Sequence, residues 1–338
     1  MIRRHAIGQP AGPAPPRPGG IRGWMLRMRR PRTGRGPARY GRRGIRCRFA
    51  LGVVVVAALA ACQTTPREEG VTAVDPEVTT AKLQQFLGNQ LRYTDHGDFG
   101  LDHAQLLTTT NAPDRQLLRI TYPAGSASRS AGGTDGGTQA YLELPQPTDT
   151  LDLQYQLRFP TGFDFVKGGK LPGLYGGTIT SGQHIPDGTN GFSTRYMWRT
   201  DGNGEIYAYL PTSHDHGTSL GRGCWQFTPG TWTTMRQRIQ LNTPAHNNGR
   251  ITVWQDNHLV LDHTGLQFRT TDQLRIQGLF FSTFFGGDDT TWATPTDQHT
   301  DFADFTLTTN TPPPDTPATG RPATDTRPTD DTECGAKP

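Results

Sequence analysis

The chain has 338 residues and a formal net charge of +4, which at face value suggests an anionic partner such as nucleic acid. Residues 1–48, however, carry 14 Arg and no Lys, Asp or Glu, so the remaining 20 basic residues face 30 acidic ones, a net of −10, and no nucleic-acid partner is expected. The 41 Gly and 27 Pro gather largely at the two ends, which argues for one folded domain rather than the two or three that the length allows.

Residues 1–48 are Arg-, Pro- and Gly-rich without periodicity and read as a disordered basic leader. Phe49–Ala61 is a run of thirteen residues with no charge, too short to span a bilayer as a helix but suited to the apolar part of a signal peptide. Leu59-Ala60-Ala61-Cys62 resembles the lipobox of bacterial lipoproteins. That resemblance implies cleavage before Cys62, lipidation of its sulfur and a membrane contact through the lipid anchor. The expected location is the bacterial cell envelope, lipid-anchored or secreted. Residues 63–77 then read as a polar tether.

The folded domain is expected over 78–310. A short helix is predicted around Thr80–Phe86, and from Leu117 onward the pattern is period-2 strand punctuated by Gly, Pro, Asn and Asp. Candidate strands are Leu117–Tyr122, Gln139–Leu144, Leu151–Phe159, Gly173–Thr180, Gly191–Arg199, Glu205–Leu210, Thr233–Leu241, Arg250–Gln255, His258–Asp262, Arg275–Phe285 and Thr300–Thr308. Asp256-Asn257 reads as a tight hairpin turn. So many strands without helical crossovers exclude a parallel sheet and predict an all-β antiparallel sandwich. Residues 311–338, rich in Pro, Thr and Asp, read as a disordered tail. Cys224 and Cys334 are a possible pair in an oxidising compartment.

Three motifs invite chemistry and carry little. Val166–Gly177 is Gly-rich but lacks the Lys-Ser/Thr of a phosphate loop and reads first as a turn with Lys167 and Lys170 flanking two glycines. His214-Asp215-His216 and Gly286-Gly287-Asp288-Asp289 are too sparse for metal sites, and no metal or cofactor is expected. The stretch Gly191–Pro211 is more telling. Alternation on its first strand puts Ser193, Arg195 and Met197 on one face, and on its second Glu205, Tyr207 and Tyr209. The opposite faces are core-like. Both sets meet if the turn is odd in length; centring it on Gly202 sets Arg195 opposite Tyr209 and Met197 opposite Tyr207.

Phe165–Leu174, Phe192–Trp198, Tyr207–Tyr209 and Phe281–Gly287, in that order, resemble the polysaccharide lyase 14 family of alginate and glucuronan lyases. The resemblance spans about Leu151–Leu307 and implies a β-jelly roll, a monomer, an acidic polysaccharide substrate and cleavage by metal-independent β-elimination. It implies a catalytic set at Lys170, Ser193, Arg195, Tyr207 and Tyr209, with Lys167 as the rival lysine. Arg195, with Lys170, would neutralise the uronate carboxylate and Ser193 would orient it. The tyrosines would act as base and acid with pKa values lowered by neighbouring cations, Lys170 being the alternative base. Two other readings remain open on sequence: a binding module that holds acidic glycans without cutting them, and a structural envelope lipoprotein with a degenerate lyase fold.

Overall fold

The period-2 pattern does what it dictates: apolar residues at alternate positions turn one face of each sheet inward. The computed structural model describes residues 70–75, 77–309 and Cys334, all within the unit Gln63–Pro338. The strands are β1 (Val71–Asp75), β2 (Arg92–Phe99), β3 (Ala104–Thr109), β4 (Ala112–Tyr122), β5 (Thr138–Thr148), β6 (Thr150–Arg158), β7 (Gly168–Gly177), β8 (Gly191–Arg199), β9 (Gly204–Tyr209), β10 (Thr218–Leu220), β11 (Thr233–Gln240), β12 (Gly249–Gln255), β13 (His258–Leu266), β14 (Ile276–Phe285) and β15 (Gln298–Thr308). They form an eight-stranded sheet, β1-β3-β4-β15-β6-β11-β12-β13, and a seven-stranded sheet, β10-β9-β8-β7-β14-β5-β2. The pairings within both are antiparallel, and the two pack as the expected sandwich.

One core joins the sheets. Leu151, Leu153, Tyr155 and Leu157 of β6 meet Leu174, Tyr196, Trp198 and Phe281 of the opposite sheet. At one end Phe159, Phe163, Phe165, Trp198 and Phe285 pack mostly edge to face, each such pair adding about 0.5–1.5 kcal/mol beyond its area. A polar clasp crosses the interior: Thr194 Oγ1 lies 2.8 Å from Gln237 Oε1, and Gln237 Nε2 donates back to the Thr194 carbonyl at 2.8 Å. It pins β8 against β11 from the inside. The helix α1 (Thr80–Leu87) is capped by Thr79, whose hydroxyl accepts from the Lys82 amide, and it buries Leu83 and Leu87. Asp256 and Asn257 both take positive φ in a two-residue hairpin turn, as predicted.

Several expectations need correction. The run Val166–Gly177 is not mainly a turn: Gly168–Gly177 is a buried central strand. The sheet also starts before residue 78, because β1 pairs with β3 inside the segment read as tether. Strands β2, β3 and β10 were not anticipated; β2 and β10 lie at sheet edges and are polar or very short. Cys334 of the tail is bonded to Cys224 with Cα atoms 5.0 Å apart, and it bridges Leu261 of β13. The leader 1–48, the apolar run, Cys62 and the rest of the tail lie outside the described residues.

Strand β7 holds the feature that shapes the site. Lys170 pairs with Met197 and Leu171 with Tyr196, but Gly173 pairs with Arg195 and Tyr175 with Ser193, so Pro172 is an extra residue. Proline has no N–H to give a ladder, and within a central strand it is tolerated at such a bulge. The bulge sends both Leu171 and Leu174 inward and brings Lys170 and Tyr175, five residues apart, to one face. The displaced Pro172 carbonyl accepts from Tyr155 Oη at 3.0 Å, from within the core. Tyr155→Phe would leave that buried acceptor without its partner, and urea unfolding should show a loss of about 1–2 kcal/mol. An unchanged midpoint would mean the bulge stands without this bond.

Candidate active site

The outer face of the seven-stranded sheet collects every sequence-predicted site residue within the described chain. The β8–β9 turn is odd in length, as required, but it centres on Asp201 rather than Gly202. Asp201 and Gly202 both have positive φ, and the Arg199 amide donates to Asn203 across them. The register therefore differs by two from the expected one: Arg195 pairs with Tyr207, Ser193 with Tyr209 and Met197 with Glu205. Parity is kept, so the faces are as predicted while the individual partners change.

Arg195 is 2% exposed. Its Nη1 donates to Ser282 Oγ at 3.1 Å, and its guanidinium lies 4.5 Å from the centroid of the Phe280 ring. Phe280 in turn stacks on Tyr141 at 4.1 Å and 18°. Ser282 is backed by Gln139 of β5 at 3.2 Å. Among the described residues Arg195 has no carboxylate partner, and its Nε is buried without any hydrogen bond. Beside it Gly173 leaves no room for a side chain, since a Cβ there would come within 2.2 Å of the Thr194 carbonyl.

Lys170 is also buried, and among the described residues it too makes no salt bridge. Its Nζ lies 2.9 Å from Met197 Sδ and 3.7 Å from the centroid of the Tyr207 ring. Burial, reinforced by Arg195, Arg199 and Arg222 and opposed by Glu205, holds its pKa well below the ordinary lysine value. Tyr207 and Tyr209 meet edge to face at 5.8 Å. The expected lowering of the tyrosines by cations is not what the structure gives Tyr207. Burial pushes its pKa up to about 12, Tyr209 adds to this, and the pull of Arg199 and Arg195 does not reverse it. Gly217 brings the backbone of the following loop against both phenol rings, where a Cβ would lie 2.7 Å from Tyr207.

Ser193 sits on the same face, fully buried, and donates to the Thr180 carbonyl at 2.6 Å. Thr180 Oγ1 also meets Tyr141 Oη at 2.7 Å, so two residues of the site floor hold the loop after β7. Lys167, the rival lysine, is exposed, bonds Thr291 Oγ1 and lies 5.9 Å from the Trp292 ring, away from the tyrosines. His214, Asp215 and His216 are exposed. Asp289 caps the turn Thr290–Trp292 by accepting from the Thr291 amide. Among the described residues no three His, Cys, Asp or Glu side chains converge as metal ligands.

Sequence reasoning left Arg199, Arg222, Ser282 and Gln139 unassigned. Arg199 shares the parity of Arg195, and Ser282 lies within the Phe281–Gly287 motif; Arg222 comes from a loop that carries no local signal. A jelly-roll sandwich with buried, unneutralised cations beside paired phenols is the framework of a polysaccharide lyase. The model of the family described as polysaccharide lyase 14 matches residues 110–305, and the chain belongs to that family. The crystal structure of the marine PL-14 alginate lyase from Aplysia kurodai aligns with a TM-score of 0.60 at 30% identity, over 71% of this chain and 98% of that one. The alginate lyase Aly36B (TM-score 0.55, 23% identity, 70% of this chain and 96% of that one) shares the fold. So does the alginate lyase vAL-1 from Chlorella virus (0.55, 18%, 71% and 100%). No curated protein sequence matches.

A buried cation without a counter-ion is costly to the free fold. Arg195→Met should therefore leave unfolding stability unchanged or raise it by about 1–3 kcal/mol while abolishing turnover, as read by urea melts beside an activity assay. A clear loss of stability would show that Arg195 is a structural residue.

Proposed function

We propose that the chain cleaves 1,4-linked polyuronates, alginate or glucuronan, by β-elimination on the outer face of the seven-stranded sheet. The observation that carries this reading is Arg195: a buried guanidinium with no carboxylate partner among the described residues, set beside Lys170 and Tyr207. The proton on C5 of a uronate is barely acidic next to an ionised carboxylate. Bidentate binding of that carboxylate by Arg195 lets negative charge develop on it as the C5–H bond breaks.

The pKa directions support the following division of the remaining roles. Lys170, whose ammonium form is disfavoured, takes the C5 proton as a neutral amine. Tyr207, which keeps its proton to about pH 12, gives it to O4 as the C4–O4 bond breaks and the C4–C5 double bond forms. The step leaves an ammonium next to a phenolate, and proton return between the neighbours resets the site. Tyr209 and Met197 wall the reacting sugar, and Ser193 holds the Thr180 loop that borders it.

Alginate blocks and glucuronan assayed for the ultraviolet absorbance of unsaturated uronate ends test this reading. Product from at least one polymer is expected, with loss of at least about 100-fold in Arg195→Ala and Tyr207→Phe. The rate should rise with pH as Lys170 deprotonates, at a value below that of free lysine, and fall again as Tyr207 ionises near about 12. A rising limb that persists in a residually active Lys170→Met variant would remove Lys170 as the base. Wild-type protein that yields no unsaturated ends from any of these polymers would sink the lyase reading.

We also propose that the enzyme works in the bacterial cell envelope, tethered through lipidated Cys62 and acting as a monomer. The lipobox-like Leu59-Ala60-Ala61-Cys62 supports this, and the Cys224–Cys334 disulfide suits an oxidising compartment. In a bacterial host, Cys62→Ser should release the protein from the membrane fraction and abolish its labelling by fatty acid. Unchanged membrane association and labelling would refute the anchor.

A further inference from the structure

Glu205 is a fully buried carboxylate on a face otherwise arranged to receive carboxylates. It lies opposite Met197 and is bound from both sides. Arg199 donates to Glu205 Oε1 through Nε at 2.9 Å and Nη2 at 2.6 Å. Arg222, from the loop after β10, donates to Oε2 through Nε at 2.7 Å, while its Nη2 reaches Ser219 Oγ at 2.8 Å. Both guanidinium groups thus spend one edge on the protein. Among the described residues neither Nη1 donates to a protein acceptor, and the Arg222 side chain is 47% exposed. One carboxylate holds two cations, and the trio keeps a net positive charge.

The trio has a definite place in the groove. Arg199 stands four residues from Arg195 on the same face of β8, about 13 Å away along the backbone, and its guanidinium turns toward Glu205 opposite Met197. Its guanidinium lies 5.7 Å from the Tyr207 ring and 5.7 Å from the Trp292 ring, so the trio adjoins the reacting site. Resting on the lyase reading above, we propose that Glu205 is a positioning residue that aims Arg199 and Arg222 to form a second carboxylate subsite, which takes a neighbouring uronate of the same chain. Substrate recognition then spans at least two acidic sugars. A neutral sugar at the flanking position loses the contact.

Affinity for mannuronate oligomers of increasing length tests this, measured calorimetrically in a Tyr207→Phe background that slows cleavage. Binding should tighten about tenfold at the length that first reaches the trio, the worth of one charge-assisted contact. Arg222→Gln should erase that step, Arg222→Lys should keep part of it, and Glu205→Gln should behave like Arg222→Gln. Arg222 is substantially exposed, so its variants decide the matter even if Glu205→Gln fails to fold. A length step that survives in Arg222→Gln, or its absence in the parent, overturns the subsite. Cleavage by the wild type is scored separately. A length step without unsaturated products keeps the subsite and removes the lyase reading; products without the step do the reverse.

Discussion

The site depends on keeping the Arg195 guanidinium charged and dry without giving it an anion. Stripping water from an ion costs several kcal/mol, and an internal carboxylate would be the usual remedy. Here the compensation is partial and indirect. Arginine is more weakly hydrated than lysine, it stays protonated, and its flat face rests on Phe280. Cation–π contact of this desolvated kind offsets about 2 kcal/mol, and the Ser282 hydroxyl adds one charge-assisted bond. Phe280 is itself backed by Tyr141, and Ser282 by Gln139, so strands β14 and β5 hold the arginine up without neutralising it. On the proposed reading, an internal carboxylate would occupy the place meant for the substrate's own.

Lys170 is subject to the same constraint and resolves it differently. Its ammonium contacts a thioether and an aromatic face, and burial with the neighbouring arginines holds its pKa well below the ordinary lysine value. In the proposed reading, the two cationic residues thereby divide into one fixed charge and one base. Lys170 occupies this position only because Pro172 is inserted in β7; without the bulge, Lys170 and Tyr175 could not share a face. The Tyr155 hydroxyl that satisfies the displaced carbonyl comes from the eight-stranded sheet, so the core packing between the sheets reaches the reacting groups directly.

Much of this was legible in the sequence because the interior is laid out by period-2 alternation. That pattern marks both strands of the β8–β9 hairpin and the face shared by Ser193, Arg195, Tyr207 and Tyr209. What alternation does not carry is register across a turn. The shift of two residues between expected and observed pairing leaves every face unchanged, so no hydrophobic signal distinguishes the two. Asp201, at positive φ, decides it. The Gly- and Pro-rich run Gly168–Gly177 was hard to read as a strand because its composition is that of a turn. Gly169 is needed where a Cβ would strike the Trp198 ring, and Pro172 is needed at the bulge. Strand β1 was hidden for another reason: a short edge strand pairs through its backbone and needs little apolar surface.

The cross-strand partners bear on the chemistry as well as the fold. In the expected register Arg195 would have faced Tyr209, and Met197 would have faced Tyr207. In the observed one Tyr207 stands opposite Arg195 and under the Lys170 ammonium, while Glu205 falls opposite Met197 at the end of the row. A turn centred one residue later would have set Glu205 directly opposite Arg199 and Tyr207 opposite Met197, so the observed register decides which side chain faces each of them across the hairpin. The disulfide lies close to this arrangement: Cys224 follows Arg222 by two residues, and the intervening Gly223 amide donates to the Gly204 carbonyl next to Glu205. A bond that closes 110 residues of chain thus ends in the loop whose arginine needs the most help to stay in place, since Arg222 is the exposed member of the trio.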